Sequence, residues 1–218
     1  GIEETTGKRL SQVMIDSGVD KNNIAVWVGP GHIQDFVRGV PSMMIIDSYN
    51  PDLSEKFAKD LRSPLIRYYQ GHDMIGTEIG AAAKNVMGIA AGMLDGENMT
   101  SLKGALMARG TREIARLIRA AGGNELSAYG LCHLGDYEAT LFSLHSHNRM
   151  FGEKFVKHEY FDKLAEGVQT SYALLKMAKQ YDVELPITQT VADIIAHKKD
   201  TKKALDALFE RTNIEEFN

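Results

Sequence analysis

The 218-residue sequence has little of what marks secreted, membrane-spanning or nucleic-acid-binding proteins. Its single cysteine, Cys132, excludes an internal disulfide, which is typical of a reducing cytoplasm. No apolar run reaches the roughly 18 residues of a membrane span. The net charge of −4 provides no basic surface for nucleic acid. We therefore expect a cytoplasmic protein that binds a small molecule, with no nucleic-acid partner and no membrane insertion.

Signals for a metal site, a reactive thiol and a signal peptide are also missing. The seven histidines show no zinc-like spacing, so no metal is predicted. Cys132 has no partner in the sequence and is predicted to be a packed thiol. The first residues, Gly1–Lys8, have no apolar core and no initiator methionine. The expectation is that the chain is a processed or trimmed piece of a longer protein.

The pattern of the first 72 residues predicts an α/β region. Short apolar runs predict strands, and segments with a helical apolar spacing lie between them. The run Ile24–Val28 is nearly continuous, as in a buried strand, and ends at the turn Gly29-Pro30-Gly31. The predicted strands are Ile24–Val28, Ser42–Asp47 and Leu65–Tyr69, and the predicted helices are Gly7–Asp16, His32–Gly39 and Pro51–Leu61.

From about residue 73 the apolar spacing is helical throughout. Gly122 and Gly123 stop the second long helix, and Pro186 separates the last two. The predicted helices are Thr77–Leu94, Ser101–Ala121, Leu134–Leu144, Tyr160–Tyr181 and Val191–Leu208. The chain is therefore predicted to be a partial sheet region followed by an all-helical domain.

Lys84 is the first candidate for chemistry. It lies in Gly80–Gly92, a helix of small residues that lets other backbone approach closely. A lysine that loses water there becomes a general acid/base, whereas a lysine that reaches to solvent is the structural alternative. The flanking residues show no polar face beside Lys84, which favours the first interpretation.

Two further polar segments follow. Asp136 and Thr140 are four residues apart and share a helix face. The aspartate either orients a desolvated lysine or lies at a helix N-terminus, where its charge interacts favourably with the helix dipole. Ser146-His-Asn-Arg149 suits a phosphate or carboxylate, or is a polar loop. Gly29-Pro30-Gly31 can bring bare backbone near a ligand in an α/β crevice.

Taken in order, these motifs resemble the NAD(P)-dependent sn-glycerol-3-phosphate dehydrogenases over almost the whole chain. The motifs are Val28-Gly-Pro-Gly-His-Ile33, Ala83-Lys-Asn-Val86, Ala105-Leu-Met-Ala-Arg-Gly110, Gly135–Thr140, Ser146-His-Asn-Arg-Met-Phe-Gly152, Ala165-Glu-Gly167 and Pro186-Ile-Thr188. The resemblance implies a mainly α fold with an α/β remnant. Residues 1–72 would be the C-terminal part of a Rossmann-type NAD(P)-binding domain. Residues 73–218 would be a helical substrate-binding and catalytic domain of the 6-phosphogluconate dehydrogenase-like kind.

The resemblance also implies an activity, the reversible NAD(P)H-dependent reduction of dihydroxyacetone phosphate to sn-glycerol 3-phosphate, a glycerophospholipid precursor. Lys84 would be the general acid/base on the C2 oxygen, with Asp136 and Thr140 holding the lysine and the substrate hydroxyls. The substrate would contact Gly29, Ser146, His147, Asn148 and Arg149. The cofactor, NAD or NADP, would be lined by Ile33, His147, Leu164 and Glu166. The apolar helical domain favours a homodimer.

The sequence departs from the family pattern in three ways. The Gly-x-Gly-x-x-Gly fingerprint is absent, and the family's second lysine would directly precede Gly1, so we expect the C-terminal two-thirds of the enzyme, inactive by itself. His147 replaces a family arginine. Gly31 and Ile33 stand where serine and alanine are usual. These departures leave two alternatives: a related two-domain dehydrogenase of another small hydroxy substrate, and a non-catalytic binding or dimerisation module.

Overall fold

A computed structural model describes residues 1–31 and 33–210, which form a small sheet beside a larger group of helices. His32, in the motif Val28–Ile33, and residues 211–218 of the predicted helical domain lie outside the described residues. The predicted fold, mainly α with an α/β remnant, is confirmed. Over the described ranges, no helix is both long and apolar enough to cross a membrane.

Among the described residues, the sheet has three strands in the order β1-β2-β3, which comprise Ala25–Val28, Ser42–Ser48 and Ile66–Gln70. Strand β2 pairs in parallel with β3 and antiparallel with β1. The helices of this region are α1, α2 and α3, which comprise Leu10–Asp16, Ile33–Val37 and Pro51–Asp60. The predicted strand at Ile24–Val28 is present as β1, but it is not fully buried, because Trp27 is 48% exposed where β1 pairs with β2 alone among the described strands.

Helix α4, Met74–Gly96, is the centre of the helical region and is longer than the predicted Thr77–Leu94. It packs against α5, α6, α7 and α8, which comprise Lys103–Ala120, His147–Val156, Gly167–Tyr181 and Pro186–Ile195. Ile79, Val86, Met87 and Ile89 of α4 are fully buried among these neighbours. The apolar spacing of α4 therefore marks a helix surrounded by protein rather than a surface helix.

Helices α4 and α6 cross with their backbones in contact, and glycine on both sides permits it. A Cβ added to Gly92 would overlap the carbonyl oxygen of Arg149, and one added to Gly152 would overlap that of Ile89. Any larger residue at these positions would push the helices apart. These two glycines thereby let α6, whose start carries the Ser146–Arg149 motif, pack directly against the helix that carries Lys84.

The structure corrects the predicted boundaries of several later helices. The predicted helix Leu134–Leu144 is a 3₁₀ turn, Leu134–Asp136, followed by a π-helical turn, Glu138–Phe142. Helix α7 begins at Gly167 rather than Tyr160. The predicted Val191–Leu208 is two helices, α8 and α9, of which α9 comprises Thr201–Phe209.

Capping groups explain these boundaries. Asp200 accepts a hydrogen bond from the backbone N–H of Lys203 at 3.0 Å and starts α9. The cap of α8 comes from a distant residue, since the buried carboxylate of Glu113 accepts from the N–H groups of Ile187 at 2.7 Å and Thr188 at 3.0 Å. A cap supplied from 75 positions away leaves no local sequence signal, so the apolar pattern predicts the start of this helix at Val191 rather than at Pro186.

Candidate active site

Lys84 lies on the middle of α4, and its side chain is 22% exposed. Its ammonium forms an ion pair with the carboxylate of Asp136, whose side chain is 3% exposed. The lysine therefore does not simply extend to solvent. A buried carboxylate that meets a partly desolvated ammonium fixes the direction in which the remaining N–H bonds point.

Asp136 and Thr140 reach this position on irregular backbone. Asp136 ends the 3₁₀ turn, and Thr140 lies in the π-helical turn, a conformation often found at functional sites. Both residues are buried, at 2% and 6% exposure. Gly88, one turn after Lys84, makes room for Thr140, because a Cβ there would lie 3.0 Å from the Thr140 methyl carbon. Thr140 therefore lies against the same stretch of α4 as Lys84.

Asn148 joins three elements around the lysine. Its side-chain amide donates a hydrogen bond to Oδ1 of Asn85 at 3.1 Å, and its own Oδ1 accepts from the backbone N–H of Gly167 at 2.9 Å. Asn85 follows Lys84 on α4, and Gly167 begins α7. The structure thus places the asparagine beside the lysine and uses it to fix the start of α7 there.

Ser146 and His147 form the N-terminus of α6, so the polar-loop interpretation of this motif is wrong. The Ser146 hydroxyl accepts a hydrogen bond from the backbone N–H of Arg149 at 3.3 Å and caps the helix. His147 is the first residue of α6 and is exposed. The positive end of the helix dipole and an exposed imidazole therefore lie next to Asn148, an arrangement that favours an anion.

Arg149 is directed elsewhere. Its guanidinium pairs with Asp95 at 2.9 Å and Glu153 at 2.8 Å, and its Nε donates to the carbonyl oxygen of Ser143 at 3.1 Å. Asp95 lies roughly 16 Å beyond Lys84 along α4, at the rise of an α-helix. The structure therefore does not bring the arginine to the lysine, and substrate contact by Arg149 stays a prediction with a structural alternative.

A second cation completes the cluster around Asp95. The ammonium of Lys103 is 2.6 Å from the same Asp95 oxygen that Arg149 contacts, and 3.1 Å from the carbonyl oxygen of Leu141. Lys103 and Arg149 are both more than 90% buried. Together they satisfy backbone carbonyls on both sides of Phe142, where the π-helical turn ends. The cluster thereby clamps the segment between Thr140 and Ser146.

The remaining predicted site residues lie on exposed surfaces. Gly29 has φ of 136° at the end of β1, and a Cβ there would lie 3.0 Å from the Cα of Met44. Ile33 and Leu164 are 76% and 66% exposed. Glu166 is exposed directly before α7. Glu166 directly precedes Gly167, where an added Cβ would lie 2.6 Å from the carbonyl oxygen of Asn85, so Glu166 lies in the same region as Lys84.

Sequence reasoning missed His133, which it considered only as a metal ligand. The ring is fully buried between the carbonyl oxygen of Gly80 and the Tyr137 hydroxyl. Burial and, to a smaller extent, the charge of Lys84 together lower the pKa of His133 to about 4. Its position three residues before Asp136 was the available signal. Burial also raises the pKa of the Cys132 thiol to about 12. The described residues contain no group of three potential ligands placed to hold a metal ion.

Comparison with known families places these elements in context. A family profile described as the C-terminus of NAD-dependent glycerol-3-phosphate dehydrogenase matches residues 73–206. The chain is 34% identical over 220 residues to glycerol-3-phosphate dehydrogenase [NAD(P)+] of Fusobacterium nucleatum, covering 97% of this chain and 66% of that protein. It is also 34% identical over 224 residues to the protein of the same name from Moorella thermoacetica, covering 99% and 66%. The chain thus spans slightly less than two thirds of these curated relatives.

Solved structures agree in fold. The crystal structure of glycerol-3-phosphate dehydrogenase from Coxiella burnetii superposes with a TM-score of 0.88 at 28% identity, covering 97% of this chain and 67% of that one. The enzyme of the same name from Plasmodium falciparum superposes with a TM-score of 0.80 at 20% identity, covering 95% and 62%. The second likeness is one of fold alone.

Proposed function

Since this chain belongs to the NAD-dependent glycerol-3-phosphate dehydrogenase family, we propose that its protein catalyses the reversible NAD(P)H-dependent reduction of dihydroxyacetone phosphate to sn-glycerol 3-phosphate. The observation that carries the proposal is the ion pair of Lys84 with the buried Asp136 on the central helix. In this assignment the product is the precursor of glycerophospholipids.

Lys84 acts as the general acid of the reduction. When hydride arrives at C2 of the substrate, electrons move to the C2 oxygen, and the ammonium gives that oxygen a proton. The products are a C2 hydroxyl and a neutral amine. In the oxidation direction, the amine takes the proton back. Asp136 orients the ammonium, and Thr140 contacts the substrate hydroxyls from the π-helical turn.

The phosphate of the substrate binds at the N-terminus of α6. Ser146, His147 and Asn148 lie there, where the helix dipole favours an anion. The backbone at Gly29 contributes from the end of β1. In this assignment Arg149 supports this surface through its contacts with Asp95 and Glu153.

The described residues fit the nicotinamide end of a dinucleotide. Ile33 and Leu164 present exposed apolar side chains, and Glu166 and His147 present exposed polar ones, which suits an amide-bearing ring. These four residues hold NAD or NADP in our assignment. When bound, the cofactor supplies the hydride. The sequence has no Gly-x-Gly-x-x-Gly to cradle the pyrophosphate, so we propose that residues 1–218 by themselves do not turn over NAD(P)H.

The test is steady-state kinetics of the full-length protein with NADH or NADPH and dihydroxyacetone phosphate. We expect Lys84→Ala to lower kcat by about 10²-fold or more, the scale of lost general acid catalysis. Lys179→Ala, an exposed lysine on α7, is the matched control and should keep wild-type kinetics. A Lys84→Ala variant with near wild-type kcat contradicts the assignment. Turnover by purified residues 1–218 contradicts the expected inactivity of this piece.

One observation favours a second candidate function. His147 stands exposed at the anion-favouring end of α6, where the family resemblance expects arginine. A related dehydrogenase acting on another small hydroxy substrate would need less fixed positive charge there. Higher kcat/KM for an unphosphorylated hydroxy substrate than for glycerol 3-phosphate would establish this alternative.

We also propose a homodimer in the cytoplasm. Large apolar side chains stay exposed on the helical region, among them Leu144 and Leu126 at 75% and 66% exposure, and the single cysteine suits a reducing compartment. Light scattering of the full-length protein tests the dimer. A monomer at micromolar concentration contradicts it.

A further inference from the structure

The ring of His133 is fully buried in the helical core, between α4 and the turn that carries Asp136. Its Nδ1 is 2.9 Å from the carbonyl oxygen of Gly80, and its Nε2 is 2.6 Å from the Tyr137 hydroxyl. A carbonyl oxygen only accepts, so Nδ1 carries the hydrogen and donates it. In the neutral ring Nε2 is then the acceptor, and the Tyr137 hydroxyl donates to it. Both ring nitrogens are therefore committed to fixed partners.

The two hydrogen-bond partners of the His133 ring connect it to the segments that carry Lys84 and Asp136. Gly80 lies one turn before Lys84 on α4, and its carbonyl oxygen is the one that accepts the backbone N–H of Lys84 in an α-helix. Tyr137 directly follows Asp136. One hydrogen-bonded chain therefore runs from the helical turn that carries the ammonium to the residue next to the carboxylate.

Packing holds the chain in place from both sides. A Cβ added to Gly80 would lie 2.9 Å from Sγ of Cys132 and 3.1 Å from Cβ of His133. The glycine therefore lets the 132–133 backbone lie directly on α4. The His133 and Tyr137 rings also contact each other edge to face, with centroids 4.8 Å apart.

We propose that His133 and Tyr137 are positioning residues that set the separation and direction of Asp136 relative to Lys84. The proposal rests on the proposed dehydrogenase function for its kinetic consequence. It does not involve proton relay through the ring. Burial raises the pKa of the Tyr137 hydroxyl and lowers that of His133, so neither group changes its charge near neutral pH.

The main test is Tyr137→Phe in the full-length protein, which keeps the ring contact and removes the hydroxyl that donates to His133. We expect kcat to fall about tenfold with little change in KM, because a small misplacement of the carboxylate affects only the proton transfer. Tyr160→Phe, whose side chain is 84% exposed, is the matched control and should retain wild-type kcat. Wild-type kcat in Tyr137→Phe overturns the proposal.

A double-mutant cycle separates positioning from general destabilisation. If Tyr137 acts through Asp136, Tyr137→Phe should cost less than about twofold in kcat once Asp136→Asn is present. A full, multiplicative loss in that background overturns the proposal. His133→Gln, which keeps one donor and one acceptor, should retain more kcat than His133→Phe, and equal losses likewise contradict it. This pair also replaces Tyr137→Phe if that variant does not fold.

A readout without turnover distinguishes failure of this proposal from failure of the proposed function. Acetic anhydride labelling followed by peptide mass spectrometry reports the reactivity of the Lys84 amine. We expect faster labelling of Lys84 in Tyr137→Phe and unchanged labelling of Lys179. If wild-type protein has no dehydrogenase activity but labelling shows this difference, the positioning role of Tyr137 is supported and the proposed dehydrogenase function is contradicted. Identical labelling of Lys84 in both proteins overturns the positioning.

Discussion

Arg149 provides the sharpest contrast between a substrate contact and a structural clamp. Replacing it with methionine keeps the apolar stem and removes the guanidinium. Asp95 would retain Lys103 at 2.6 Å, and Glu153 would retain Lys157 at 2.6 Å. The carbonyl oxygen of Ser143 would lose its donor. The variant should therefore lose less stability than a protein in which breaking a buried ion pair leaves one charge without any partner.

The magnitude follows from burial. Breaking a buried ion pair typically costs 3–5 kcal/mol, and the surviving partners place Arg149→Met at the lower end, about 3 kcal/mol. For a domain of this size, that loss lowers Tm by about 6–12 °C. The exposed Arg38 pairs with Asp35 and offers a matched control. Arg38→Met should change stability by less than about 0.5 kcal/mol, since exposed ion pairs contribute little.

The assay is urea and thermal unfolding of both variants, together with KM of the full-length enzyme for dihydroxyacetone phosphate. The structural assignment predicts a destabilised Arg149→Met. Wild-type stability combined with a KM raised about tenfold or more would refute the reasoning, because it would mean that Arg149 binds the substrate phosphate rather than Asp95 and Glu153.

Three further predictions concern buried or charged groups. The pKa of His133 is about 4 in the folded chain and near 6.5 when unfolded, so the unfolded state binds more protons between these values. This group should therefore remove about 3 kcal/mol of stability as pH falls from 6.5 to 4, and urea unfolding of His133→Gln should show a flatter pH dependence. Glu113→Ala leaves the first turn of α8 uncapped and should cost about 3 kcal/mol in urea unfolding; an unchanged midpoint would show that the cap is dispensable. His147→Arg adds a permanent charge at the N-terminus of α6 and should lower KM for dihydroxyacetone phosphate by about tenfold, whereas an unaltered KM would place the phosphate elsewhere.

Much of the fold followed from periodicity. The strands β2 and β3 and the long helices α4 and α5 lie within a few residues of their predicted positions, because long apolar patterns reflect burial directly. The end of α5 was also readable, since Gly122 has φ of 86° and Gly123 donates to the carbonyl oxygen of Ile118. The π-helical turn was not, because the groups that hold its end, Lys103 on the carbonyl oxygen of Leu141 and Arg149 on that of Ser143, are brought there by the tertiary structure.

The sequence by itself determined that Lys84 sits in a helix without a polar face, and that Asp136, Thr140 and Asn148 follow in the family's order. Only the tertiary structure decided which of these groups meet. A helical pattern shows the face on which a side chain lies, but not the residue 52 positions away that it contacts, as with Lys84 and Asp136. For the same reason, the sequence favours Arg149 as a ligand for phosphate, whereas the structure pairs its guanidinium with Asp95 and Glu153. The only sequence signal for His133 was its position three residues before Asp136, because its role arises from two hydrogen bonds within the core.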